Sequence, residues 1–221
     1  QTGIVDRALE VVERQPWLEA LGDRLQQGIA ATFEAAGPAG RSIKNFLHGT
    51  WLGHPLHPVL TDVPLGAWTA ALVLDGLDGR DEGRWSRRGY GRGADAAIAV
   101  GLAGAAGAAV TGLNDWQHTN GAPRRVGVVH ATLNTIATSL FLLSLVERLI
   151  GNRGAGRGFA FLGLGAAGAA AYLGGHLVFR RGIGVDHAQA MDGPDDFTPA
   201  LPDADLVPGQ PKLAEIAGEY L

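Results

Sequence analysis

Four long apolar stretches, separated by clusters of charge, constrain this chain more than any other feature of its sequence. They run from about 58 to 77, 94 to 113, 126 to 149 and 159 to 179. A helix crossing a bilayer needs roughly 20 mostly apolar residues, and each stretch is close to or above that length. Arg, Lys, Asp and Glu collect instead in the N-terminal arm, at 75–95, at 147–157 and in the C-terminal tail. Average hydropathy mixes these two populations and by itself would suit a soluble chain. In lipid every backbone polar group must be satisfied within its own segment, so the apolar stretches are read as helices. Short connections join the first to the second and the third to the fourth as antiparallel hairpins. The expected fold is all-α, a transmembrane four-helix bundle running up-down-up-down.

The flanks read differently. Residues 1–45 carry Val5, Leu9, Val12, Trp17, Leu18, Leu21, Leu25, Ile29 and Phe33 near helical spacing, with charged and amide residues between them and Pro16 interrupting the run. This predicts two amphipathic helices lying on the membrane surface or covering the bundle. Gly37-Pro38-Ala39-Gly40 reads as a loop, and the bundle itself as 46–182. Residues 183–221 read as an extrinsic polar tail or linker, with one or two helical turns near Leu213–Tyr220. The connection 78–95, rich in Arg and Gly, reads as a loop, as do 114–125 and 150–158. No internal repeat is evident. The second and fourth stretches share only a Gly/Ala-rich character, which suits close helix packing or leaves room for a flat cofactor.

The chain has no cysteine. Disulfides, thiolate metal sites, nucleophilic cysteine and protein-ligated iron–sulfur clusters are therefore excluded within it. A net charge of −4 gives no nucleic-acid signature. No nucleophile or acid–base pair stands out.

Seven histidines carry the chemistry that remains. The topology puts His48, His54 and His57 before the first span, His118 in the turn after the second and His187 at the start of the tail, all at one face. His130 lies early in the third span and His176 late in the fourth, at the same face and, by the 1.5 Å helical rise, roughly 6 to 7 Å deep. His130 shares a helical stripe with Asn134 and Thr138, and His176 with Tyr172 and Gly168, so both are expected to point into the bundle. Two level imidazoles on facing transmembrane helices are what six-coordinate haem b requires. His54, His57 and His118 are further candidates, and Arg124, Arg125, Arg180 and Arg181 are placed to pair with propionates. His48 and His187 are expected to be solvated.

Other readings compete. A lone intramembrane histidine is often only a hydrogen-bonding residue between helices. His130, His176, His57 and His118, with Asp62 and Asp115, also offer ligands for Zn, Fe or Cu at a non-haem site.

The run Leu52-Gly53-His54-Pro55-Leu56-His57-Pro58, then Asp62-Val63-Pro64-Leu65-Gly66 and an apolar helix ending in Asp75, resembles an uncharacterised bacterial family of four-helix membrane proteins. Asp115-Trp116, His130 and Gly174-Gly175-His176-Leu177-Val178 running into Gly182-Ile183-Gly184-Val185 also match, so the likeness covers about 45–187. Members of that family are often joined to a Rieske ferredoxin domain. The resemblance implies a bacterial inner-membrane location and an electron-transfer setting. Having no cysteine, this chain cannot itself hold a Rieske cluster.

Lys and Arg are somewhat more numerous in the 78–93 and 150–158 loops, which places those loops in the cytoplasm and both termini outside it. The sequence thus leads to a haem b electron-transfer subunit in the lipid bilayer, working with redox subunits such as a Rieske ferredoxin and with quinone. A non-haem metal protein and a cofactor-free accessory or anchor subunit are the alternatives.

Overall fold

The computed structural model describes residues 3–78, 86–185, 196–207, 209–210, 212–216 and 219–220, and the chain divides into two units at Gly184/Val185. Among the described residues of the first unit seven helices follow one another: α1 (Ile4–Glu13), α2 (Pro16–Ala35), α3 (Gly37–His48), α4 (Leu56–Asp78), α5 (Ser86–Trp116), α6 (Gly121–Leu149) and α7 (Arg153–Phe179). Short connections at 117–120 and 150–152 force α5, α6 and α7 into antiparallel neighbours. α4 packs along α5, α6 along α7, and contacts of α5 with α6 and of α4 with α7 close a ring of four.

Three of the four are long and apolar enough to cross a membrane: Gly89–Trp116 of α5, α6 and α7. α4 has 23 residues but is diluted by Asp62, Asp75, Asp78 and its prolines. The outer surface of the three is apolar, with Phe161 71 % and Leu162 60 % exposed, while the seams are built of small residues. That inversion is expected of helices whose exterior faces lipid, because close approach of backbones rather than water expulsion holds them together.

The centre of the bundle is a stacked pair, Trp68 of α4 on Phe141 of α6, with ring centroids 4.1 Å apart and planes at 10°. Ala71, Ala94, Ile98, Ala137, Ala160 and Ala167 pack around it. Each ring also lies on a glycine of the next helix. A Cβ on Gly101 would stand 2.3 Å from Trp68 Nε1, and one on Gly163 would stand 2.9 Å from the Phe141 ring.

The structure contains a repeat that the sequence hides. Three pairs cross from α4 to α6, namely His57 with His130, Trp68 with Phe141 and Asp75 with Arg148, and in each the two positions differ by 73 residues. Between α5 and α7 the offset is 62, the spacing of Gly91 and Arg153, and it relates Gly101 to Gly163, Ala108 to Ala170 and Gly112 to Gly174. The α4–α5 and α6–α7 hairpins are therefore two versions of one unit about a pseudo-twofold axis along the bundle. No single period runs through the sequence, because the connection inside the first hairpin is longer than that inside the second. Few identities survive on α4 and α6, among them His57/His130, Leu60/Leu133 and Leu72/Leu145.

The arm forms the two expected helices, with Pro16 opening α2 where a missing N–H costs nothing. Residues 37–40, expected as a loop, instead begin α3, and Pro38 is tolerated for the same reason. α5 likewise starts at Ser86, inside the stretch expected as a loop, and 79–85, with Arg80 and Arg84, lie outside the described residues. α2 is pinned to the end of the bundle. Gln26 Nε2 donates to the carbonyls of Trp116 at 2.9 Å and Thr119 at 3.0 Å, and Glu19 takes hydrogen bonds from Arg124 at 2.9 Å and Arg125 at 2.7 Å.

In the second unit Asp203–Asp205 make one 3-10 turn. Glu215–Ile216 pair antiparallel with Glu219–Tyr220, where helical turns were expected; Gly218, a poor helix former, stands between them.

Candidate functional site

After α3 the chain makes a tight turn at Gly49, whose φ of 87° and close approach to the His54 carbonyl suit no other residue. Leu56 then opens α4 with Pro58 in its first turn. This sets His57 on the first turn of α4, facing α5. Its Nδ1–H donates to the Ala108 carbonyl at 2.8 Å, and the ring lies against Gly112, where a Cβ would stand 2.7 Å from Cε1.

The second hairpin repeats this arrangement. His130 Nδ1–H donates to the Ala170 carbonyl of α7 at 2.8 Å, and the ring lies against Gly174, where a Cβ would stand 3.2 Å from its Cε1. The two rings meet across the bundle with centroids 6.5 Å apart and planes at 84°. A carbonyl only accepts, so each Nδ1 carries the proton and each Nε2 presents a lone pair. His57 Nε2 has no hydrogen-bond partner among the described residues. His130 Nε2 receives Asn134 Nδ2 at 3.1 Å, and the same amide also donates to the His130 carbonyl at 3.0 Å.

His176 occupies a different setting from the one its depth implied. Its Nε2 lies 3.3 Å from Glu13 Oε1 of α1, and Arg181 binds the same carboxylate. The reason is azimuth. Ala170 and Gly174 present one face of α7 to His130, and position 176 lies two residues beyond 174, about 200° further round the helix. The structure thus brings His57, not His176, to His130. Burial alone would raise the Glu13 carboxyl, but the hydrogen bonds from Arg181 and His176 outweigh it and hold the group below its ordinary 4.5.

The remaining candidates spread over the same end. His54 is exposed, with Nδ1 on the Pro55 carbonyl at 3.1 Å. His118 lines a recess of about 320 Å³ with His48, Asp115, Thr119, Asn120, Pro123, Ile183 and Gly184. Partial burial, then the positive fields of Lys44 and His48, lower the His118 pKa below 6.5 despite Asp115. His48, expected to be merely solvated, is half exposed but donates from Nδ1 to Asp115 Oδ1 at 2.7 Å. Arg124 and Arg125 are committed to Glu19 and Asp23 of the arm, and Arg180 is exposed. His187 lies outside the described residues.

Sequence reasoning did not find the carbonyls of Ala108 and Ala170, which carry no side-chain signal. The match of His57 with His130 was available only through the 73-residue offset. Among the described residues no group of three or more His, Asp or Glu stands close enough to hold a metal ion.

Residues 53–187 match a family model described as Predicted membrane protein (DUF2231), a range that opens just before His54 and includes α4–α7 and both rings of the pair. The chain belongs to this membrane-protein family. No curated protein and no solved structure matches it. Family membership and three apolar helices agree on a lipid bilayer as the setting of the bundle.

Proposed function

We propose that α4–α7 form a four-span transmembrane bundle that binds haem b between His57 and His130 and serves as an electron-transfer subunit. The observation that carries this reading is the pair of imidazoles that meet across the bundle, each fixed by a backbone carbonyl at Nδ1 and so left with an unprotonated Nε2. Such a carbonyl partner is the usual outer contact of a metal-bound histidine, orienting the ring and strengthening it as a ligand. With ring centroids 6.5 Å apart, both imidazoles would be within reach of one metal placed between them.

Haem, when bound, supplies a one-electron carrier. The chain's own residues would do the rest: His57 and His130 would hold the iron, Gly112 and Gly174 let the rings seat against the helix backbones, and Asn134 would keep its bond to the His130 carbonyl. The recess at His48, Asp115 and His118 opens at the same end, where a Rieske ferredoxin or another redox subunit, or quinone, would exchange electrons. Bacterial inner membrane, with both termini outside the cytoplasm, is the location this reading carries.

The test is a visible spectrum of the full chain expressed with haem supplied in excess. A reduced α-band that is lost on oxidation supports the reading, and a colourless preparation sinks it. A second reading, a cofactor-free accessory subunit, draws on the Asn134 contact, which satisfies His130 without any metal. It predicts the colourless result together with intact assembly of a redox complex when His57 and His130 are both replaced.

A further inference from the structure

At the end of the bundle opposite the imidazoles, Arg148 of α6 is fully buried on the pseudo-twofold axis. Its Nη1 donates to Asp75 Oδ1 of α4 at 2.8 Å, a second bond runs from Nη2 to Asp75, and Nη1 also reaches Asp95 Oδ1 of α5 at 3.3 Å. Its Nε donates to Ser144 Oγ at 3.1 Å. Asp75 in turn has Arg157 Nε of α7 at 3.5 Å.

These four charges occupy equivalent positions of the two hairpins. Asp75 and Arg148 are related by the α4/α6 offset of 73, and Asp95 and Arg157 by the α5/α7 offset of 62. The network is itself twofold: Asp75 contacts Arg148 and Arg157 of the other hairpin, and Arg148 contacts Asp75 and Asp95 of the other hairpin. What the axis inverts is the sign. One hairpin carries only carboxylates at these positions and the other only guanidiniums.

We infer that Asp75, Asp95, Arg148 and Arg157 are the specificity determinants by which the two hairpins recognise each other and reject a second copy of themselves. The other pairs that face each other across the axis, His57 with His130 and Trp68 with Phe141, carry no fixed charge, so a homotypic pairing would set no like charges together there. A pair of first hairpins would put Asp75 against Asp75 on the axis, and a pair of second hairpins would put Arg148 against Arg148. In a medium without water to screen them, like charges at the position of a buried ion pair are severely unfavourable. The four residues thus make the pairing of the two hairpins heterotypic, and with it bring His57 of one to His130 of the other. This inference does not depend on a cofactor being bound.

The test is charge exchange in the full-length chain, read as the yield of monodisperse protein after detergent extraction and its thermal midpoint. Asp75→Arg alone, or Arg148→Asp alone, creates a like-charge contact and lowers the yield about tenfold or more. Asp75→Arg with Arg148→Asp recovers part of it, because new clashes with Asp95 and Arg157 remain. The four-residue exchange, adding Asp95→Arg and Arg157→Asp, recovers more than the two-residue exchange, although Arg153 and Asp78 now meet like charges at the half-exposed rim. Should all variants fail to extract, neutral substitutions separate the outcomes: Asp75→Asn with Arg148→Gln must be more stable than either change alone. Single reversals that are tolerated, or a four-residue exchange no better than a single reversal together with a neutral pair no better than its worse member, overturn the inference.

Discussion

At the scale of single residues the structure separates histidines that composition alone treats alike. His57 and His130 are held by carbonyls and meet ring to ring across the bundle, His176 and Arg181 share Glu13, and His48 and Asp115 form a hydrogen-bonded pair at the recess. The Glu13 arrangement yields a pH prediction. Because its folded pKa lies below 4.5, the stabilisation it gives is fully present above 4.5 and is lost as pH falls through the lower folded value. Docking of α1 on α7, followed by hydrogen exchange in α1, should weaken over that acid range, and Glu13→Gln should weaken it at neutral pH and flatten the acid response. His130 was legible as an interior residue from its depth and stripe. Its partner was not, because depth counting fixes height along a helix but not azimuth, and only packing decides that positions 170 and 174 rather than 176 face α6.

At the scale of elements, glycine placement controls how closely neighbouring helices approach. Gly101 and Gly163 receive the faces of Trp68 and Phe141 at equivalent points of the two hairpins. Gly101→Ala should cost about 1–3 kcal/mol, since a methyl group there forces the indole off its stack with Phe141, and a thermal melt in detergent checks it. Gly165→Ala, at a site with open space around it, should be close to neutral in the same assay. The helices themselves were legible from apolar runs and charge clusters, and the two arm helices from amphipathic spacing with Pro16 between them. Their ends were not. Gly and Arg near residues 86–93 and the Gly-Pro at 37–38 are loop signals locally, but tertiary contacts of α5 with α4 and of α3 with α2 continue the helices through them.

At the scale of the whole molecule, the bundle is a duplicated hairpin with its chemistry arranged in layers along one axis: imidazoles at one end, the aromatic stack in the middle and the ion-pair network at the other. The repeat escaped the sequence because its two helices follow different offsets and because the Asp/Arg positions have opposite signs. The proposal that α4 spans the membrane despite its carboxylates makes a topological prediction. The chain has no cysteine, so single cysteines can report sidedness directly. Thr50→Cys and Asn120→Cys should label from the same side of intact cells or vesicles and Asn152→Cys from the other; labelling of Thr50→Cys together with Asn152→Cys would mean that α4 does not cross.

The central claim is that one imidazole from each hairpin forms the cofactor pair, and replacement of individual histidines tests it most directly. In haem-loaded full-length protein, His57→Ala and His130→Ala should each abolish the reduced low-spin α-band while leaving extraction yield unchanged, and His176→Ala should retain it. A band that persists in His57→Ala and disappears in His176→Ala would contradict the account.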